Sequence, residues 1–169
     1  MHIARLVSLL AVALFSLACV NTGEKRTFSL EVANNAKTPV TMGLAKLDGV
    51  VEVEWESPED RAIMDPKLTG LGWGTVLPPG RTASLRVSGR FLPNTRGFLR
   101  IYNGDLPLSE ILAISKGSRN RIDILLREGN SAFVITNAGP FLSAQLASYT
   151  PTGEAAKLTP PTTVSPTQR

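Results

Sequence analysis

Apolar and polar residues alternate with a period of two over most of the chain between residues 27 and 149. This alternation is typical of strands that bury one face. The apolar positions that carry it are Phe28, Leu30 and Val32; Val40, Met42 and Leu44; Val51, Val53 and Trp55; Ala83, Leu85 and Val87; Leu99 and Ile101; Ile122, Ile124 and Leu126; Phe133 and Ile135; and Leu142, Ala144 and Leu146. The pattern predicts about eight or nine short strands whose apolar faces meet in one core.

Two segments depart from this alternation. Ser57 before Pro58 and two acids is a good helix start, since serine caps the helix and proline suits its first position. Asp65-Pro66 ends that helix within two turns. The segment 108–114 suits either a short helix or a strand. Because helices that could cross between parallel strands are missing, we expect an all-β fold, an antiparallel β-sandwich with one short helix.

Two short stretches of the chain also resemble segments of known β-sandwich modules. Leu77-Pro78-Pro79-Gly80-Arg81-Thr82 precedes a predicted strand, and Val32-Ala33-Asn34-Asn35 is followed by Pro39-Val40-Thr41. These stretches are similar to those of bacterial extracellular immunoglobulin-like and fibronectin-like modules. The resemblance implies a generic sandwich and points to no particular family.

Composition agrees with a single globular domain. The chain has 169 residues, of which 43% are hydrophobic and 19% are charged. We place the sandwich domain at residues 27–149. Residues 150–169 are rich in Thr, Pro and Ser, and such a segment buries too little apolar area to offset its ordering entropy. We therefore predict a disordered tail there.

The first residues have the pattern of an export signal. A charged start with Arg5 is followed by an apolar run from Leu6 to Leu17, and small residues precede Cys19. The run is shorter than the roughly 20 apolar residues that a membrane span needs. Residues 1–18 are therefore predicted to be a signal peptide that is removed on export.

The end of this signal has a second feature. Phe15-Ser16-Leu17-Ala18-Cys19 is similar to the lipobox of bacterial lipoproteins, although lipoboxes favour Leu where Ser16 stands. The resemblance implies a lipid on Cys19, residues 19–26 as a tether, and a place in the cell envelope. Val20 after the cysteine implies the outer membrane by analogy with Gram-negative sorting. Plain secretion with a free Cys19 remains the alternative, since Ser16 and Ala18 also fit ordinary cleavage.

Two residue counts limit the possible chemistry. The single histidine, His2, lies in the predicted signal, so the mature chain lacks imidazole and with it Ser-His-Asp triads and histidine-based metal sites. The single cysteine excludes a disulfide within the chain. We therefore expect no enzymatic activity and no cofactor.

Acidic residues are concentrated between residues 48 and 65, where Arg61 is the only base. Carboxylates grouped in this way can bind Ca²⁺, and the candidates are Glu52, Glu54, Glu56 and Asp60. The ordinary alternative is a solvated strand face beside a capped helix. A polysaccharide hydrolase that uses two of these carboxylates is a further alternative, which needs two acids about 5 to 9.5 Å apart.

Basic residues predominate between residues 81 and 127, and the whole chain has a net charge of +4. This arginine-rich half of the chain could bind an anionic surface polymer. Alternatively, Arg86 and Arg100 lie on adjacent strands and pair with glutamates across the sheet. Export and sparse aromatic residues argue against nucleic acid as a partner.

Trp73 lies between two glycines in a predicted loop, where an indole could stack on a sugar or close the end of the sandwich. Trp55 is expected in the core. Taken together, the sequence favours an exported, lipid-anchored envelope protein whose non-catalytic sandwich binds another protein or a surface polymer.

Overall fold

The computed structural model describes residues 23–47, 52–64, 67 and 72–152. Eight strands, two short α-helices and one 3-10 turn make up these residues. The strands are β1 Glu24–Asn34, β2 Val40–Leu47, β3 Thr75–Leu77, β4 Thr82–Phe91, β5 Arg96–Asn103, β6 Arg121–Leu125, β7 Gly129–Ala138 and β8 Phe141–Pro151. The helices are α1 Pro58–Met64 and α2 Leu108–Ala113, and the 3-10 turn is Val53–Trp55. The prediction of an all-β sandwich is confirmed.

The strands form two four-stranded sheets. Sheet A has the order β4-β1-β7-β8, and sheet B has the order β3-β2-β5-β6. Neighbouring strands are antiparallel with one exception, because β1 runs parallel to β7 and places Phe28 opposite Gly129. The first strand thus lies inside sheet A, where it joins the β4 edge to the β7–β8 hairpin.

The core lies between the two sheets, and the alternating apolar residues supply it. Buried positions that the sequence predicted include Phe28, Leu30, Val32, Val40, Met42, Leu44, Leu99, Ile101, Phe133 and Ile135. The rings of Phe28, Trp55 and Phe91 pack against one another with centroids 5.1 to 5.6 Å apart. Burial of each large side chain contributes about 1.5 to 3 kcal/mol.

The strand predicted from Val51, Val53 and Trp55 is wrong. Residues 53–55 form a 3-10 turn in which Val53 is 89% exposed and Trp55 is 1% exposed. A 3-10 turn has three residues per turn, so residues two apart face different directions. Val51 lies outside the described residues.

Leu146 also departs from the predicted alternation. Its side chain is 52% exposed, although Leu142 on the same strand is buried. The pairing of β7 with β8 shifts between Ala132 and Phe133, so that one residue of β8 is left unpaired there. Such a bulge bends an edge strand away from its neighbours.

The structure also refines the boundaries drawn from the sequence. The ambiguous segment 108–114 contains the helix α2, which ends at Ala113. Strand β1 takes in Glu24 to Arg26 from the predicted tether, and β8 takes in Thr150 and Pro151 from the predicted tail. The rest of that tail, residues 153–169, lies outside the described part of the chain.

The β4 edge of sheet A is partly covered. At β4, Glu52 Oε1 accepts a hydrogen bond from the backbone N–H of Arg90 at 3.0 Å. Trp55 Nε1 donates to the carbonyl of Ser88 at 3.3 Å. Both backbone groups would otherwise be open to another strand, so the segment around the 3-10 turn closes the β4 edge there.

Candidate functional site

A small second core lies on the outer face of sheet B. Ile101 faces the main core, so its neighbour Tyr102 faces outward, where it is buried with Trp73 and with Leu108 and Ile111 of α2. The Trp73 and Tyr102 rings meet edge to face with centroids 5.8 Å apart. The two helices therefore form a partial third layer over sheet B.

Trp73 is part of this second core. Its side chain is 5% exposed, and its Nε1 donates to the carbonyl of Glu56 at 2.9 Å. A buried indole with a satisfied N–H has no free face for a sugar. Of the two interpretations of Trp73, the structure supports packing.

Charged residues surround the second core. Arg100 Nη1 donates to Glu59 Oε2 at 2.6 Å, and its Nε lies 3.3 Å from Asp123 Oδ1. Arg121 Nη2 donates to Asp123 Oδ2 at 2.9 Å. The side chains of Arg100 and Arg121 are only 4% and 6% exposed. We call these four residues the charged cluster.

A cleft of about 490 Å³ opens beside the charged cluster, between α1, α2 and sheet B. Residues of the two helices and of the loop that follows α2 form its walls, and Lys46, Arg100 and Arg121 reach it from the sheet. The residues that line it are Lys46, Ser57, Glu59, Asp60, Arg100, Leu112, Ile114, Ser115, Lys116 and Arg121.

The ionisation of the charged cluster suits a structural role. Burial disfavours the charged form of Glu59, but a backbone hydrogen bond and Arg100 outweigh it and lower the pKa of Glu59. Burial also opposes the charge of Arg121, yet the hydrogen bond to Asp123 raises the pKa of Arg121. Burial raises the pKa of Tyr102. At neutral pH, Glu59 and Arg121 are therefore charged and Tyr102 is neutral, so none of these groups is poised to exchange a proton.

The structure does not bring the predicted calcium ligands together. Glu52 pairs with Lys46 at 3.3 Å and Glu56 with Arg61 at 2.9 Å. Asp60 accepts hydrogen bonds from the N–H and hydroxyl of Ser57 and so completes the cap of α1. Glu54 is exposed. Among the described residues, no group of three or more acids, histidines or cysteines could hold a metal ion.

The predicted placement of Arg86 and Arg100 on adjacent strands is wrong. Arg86 lies on β4 of sheet A opposite Ser29, whereas Arg100 lies on β5 of sheet B between Gly43 and Asp123. Alternation within a strand shows which face a residue takes, but it carries no information about the sheet to which the strand belongs.

A second, smaller concavity of about 380 Å³ lies on sheet A. Strands β4, β1, β7 and β8 supply its lining, which is mostly of small polar residues. These include Ser29, Ser84, Asn130, Ser131, Ser148 and Thr150, with one base, Arg86. No aromatic ring lines it, so it offers no stacking surface for a sugar.

Sequence reasoning missed Asp123 as the partner of Arg100. The two residues are directly opposite across β5 and β6, and the available signal was the opposite charges at the centres of two predicted strands.

Cys19, the predicted lipidation site, lies outside the described residues. Within those residues, no helix has the length and apolar character to cross a membrane. Comparisons with protein-family models, curated proteins and solved structures gave no match.

Proposed function

We propose that the protein is an exported envelope protein, anchored by a lipid on Cys19, whose non-catalytic sandwich binds another protein along the edge of β8. The signal pattern and the lipobox resemblance support export and anchoring. The observation that carries the binding role is the edge of β8. This strand has 11 residues, and no described residue forms a hydrogen bond to its outer backbone.

The register of sheet A shows which backbone groups of β8 are available. Asn35 donates its N–H to the carbonyl of Ile135. The backbone N–H and C=O groups of odd-numbered residues of β7 therefore point toward β1, and those of even-numbered residues point toward β8. Val134 lies opposite Gln145, which therefore bonds to β7. Ala144 and Leu146 then direct their N–H and C=O groups to the free edge.

An open edge of this kind is the surface used in recognition by strand addition. An extended segment of a partner bonds to the free N–H and C=O groups, and alternate side chains provide specificity. The half-exposed side chain of Leu146 provides an apolar surface on this strand that a partner can contact. At the β4 edge, Glu52 and Trp55 occupy the N–H of Arg90 and the carbonyl of Ser88, so β8 is the more open edge of sheet A.

The charged side chains support a binding role over hydrolysis. Glu52 and Glu56 each pair with a base, and Asp60 caps a helix. A hydrolase needs one carboxylic acid that retains its proton and a second carboxylate across a cleft. Both glutamates are therefore already held in ion pairs with Lys46 and Arg61.

The anchor is tested with Cys19→Ala in cells that export the protein, with Asn21→Ala as the control. We expect the wild type and the control to stay with the membrane fraction and to incorporate labelled palmitate. The Cys19→Ala protein should appear in the soluble fraction without label. Unchanged membrane retention of Cys19→Ala would contradict the anchor.

The binding edge is tested by photo-crosslinking in the same cells, with a photoreactive residue at Gln145 and a comparison site at Arg86. We expect one discrete protein adduct from position 145. Leu146→Pro removes an N–H from the free edge and should abolish the adduct, whereas Leu146→Ala retains that N–H and should preserve it. Thermal melting checks that both variants fold. Equal adducts in the two variants, or none at position 145, would contradict strand addition.

A further inference from the structure

Basic side chains are exposed at the end of the sandwich at which β1 begins. Glu24 pairs with Phe91 at the end of β4, and Leu47 at the end of β2 pairs with Arg96 at the start of β5. Gly129 at the start of β7 pairs with Pro151 at the end of β8. We call this the β1-start end; the tether predicted from the sequence leads into it.

Four exposed bases lie at the β1-start end: Lys25, Arg90, Arg96 and Arg127. Lys25 and Arg90 are directly opposite each other on neighbouring strands. Like charges in that position destabilise a sheet. Within the described part of the chain, none of the four forms an ion pair, although Arg127 stacks on Tyr149.

Three acids at this end, among the residues that the structure describes, are already engaged. Glu24 pairs with Arg26 at 2.7 Å, and Glu52 pairs with Lys46 at 3.3 Å. Glu128 Oε1 accepts a hydrogen bond from the backbone N–H of Thr27 at 3.2 Å. The four exposed bases therefore present positive charge that these three acids do not neutralise.

The tether is short. Four residues lie between Cys19 and Glu24, and the five Cα-to-Cα steps that join them reach about 18 Å at full extension. A lipid on Cys19 therefore holds the β1-start end near the headgroups. Bases act at close range, because the Debye length is about 8 Å at physiological ionic strength.

We propose that the β1-start end is a docking surface for a membrane that carries anionic phospholipid headgroups, so that the anchored domain lies on the bilayer through Lys25, Arg90, Arg96 and Arg127. This inference rests on the proposed lipid anchor for its setting. Each base near an anionic surface strengthens binding about fivefold. The surface thus orients the domain and leaves its opposite end facing away from the membrane.

The test measures binding of the mature chain with Cys19→Ser, which has no lipid, to vesicles of phosphatidylcholine with or without phosphatidylglycerol. The first variant combines Lys25→Gln, Arg90→Gln and Arg96→Gln. The matched control combines Lys37→Gln, Arg81→Gln and Arg119→Gln, which removes the same charge from exposed bases at the opposite end.

We expect the unlipidated chain to bind only the vesicles with phosphatidylglycerol, more weakly as salt is raised. The first variant should lose about a hundredfold in affinity, and the control should keep most of it. Equal losses in the two variants, no dependence on phosphatidylglycerol, or binding to soluble dextran sulfate without vesicle binding would each overturn the proposal. Since no lipid is attached in this assay, a failed Cys19→Ala test leaves its result intact, and the two proposals fail separately.

Discussion

A Cβ atom on Gly43 would lie 2.6 Å from Cη2 of Trp73. No real Cβ contact is that short, so the indole occupies its place only because residue 43 has no side chain. Gly43 is on the central strand β2 of sheet B, and Trp73 follows the loop after α1. This one contact fixes how the second core rests on the sheet.

Gly43→Ala should therefore destabilise the protein by about 1 to 3 kcal/mol, because the new methyl group overpacks the contact with Trp73. Urea unfolding followed by tryptophan fluorescence measures the change. Gly72→Ala is the matched control, since a Cβ at Gly72 would meet nothing within 4 Å. A loss of stability no larger than that of the control would show that the indole moves aside without cost.

Arg100→Met should cost about 2 kcal/mol of folding free energy, because it removes the 2.6 Å hydrogen bond to Glu59 and the ion pair with Asp123 at a buried position and leaves Arg121 as the only base of the charged cluster. Arg86→Met removes an exposed arginine on sheet A and should change stability by no more than about 0.5 kcal/mol. Denaturant unfolding of the two variants gives the comparison. Similar values would mean that the charged cluster contributes nothing to the fold.

The stabilising effect of Glu59 should depend on pH in a defined direction. The pKa of Glu59 is lowered below 4.5 in the folded protein, so its contribution is full above that value and is lost as the pH falls through the folded pKa. The difference in unfolding free energy between wild type and Glu59→Gln should therefore shrink as the pH falls below 4.5.

The same comparison in an Arg100→Met background is the control. Arg100 is one cause of the lowered pKa of Glu59, so the pH dependence should weaken without it. A difference between wild type and Glu59→Gln that stays constant with pH would contradict the ionised pair.

Most strands and the main core could be predicted from the sequence, because a strand that buries one face alternates apolar and polar residues with a period of two. The prediction failed where apolar and polar residues alternate in the sequence but the backbone does not form a strand. Val53 and Trp55 alternate with glutamates, yet they lie on a 3-10 turn, and only Trp55 reaches the core. Its burial was predicted correctly although the predicted element was wrong.

Long-range pairing was beyond the sequence. The opposite charges of Arg100 and Asp123 are visible in the chain, but the register that makes them neighbours depends on which strands meet. The bulge that exposes Leu146 depends on the pairing of β7 with β8 in the same way. The open edge of β8 could not be recognised before the sheet order was known.

The parallel pairing of β1 with β7 affects how the protein comes to be folded. Thr27 bonds to Glu128, a partner 101 positions later in the chain. Sheets that depend on such distant contacts form slowly, since a large loop must close before the contact yields any stability. Until β7 has been synthesised, β1 lacks one of its two neighbours, so sheet A can be completed only late in the synthesis of the chain.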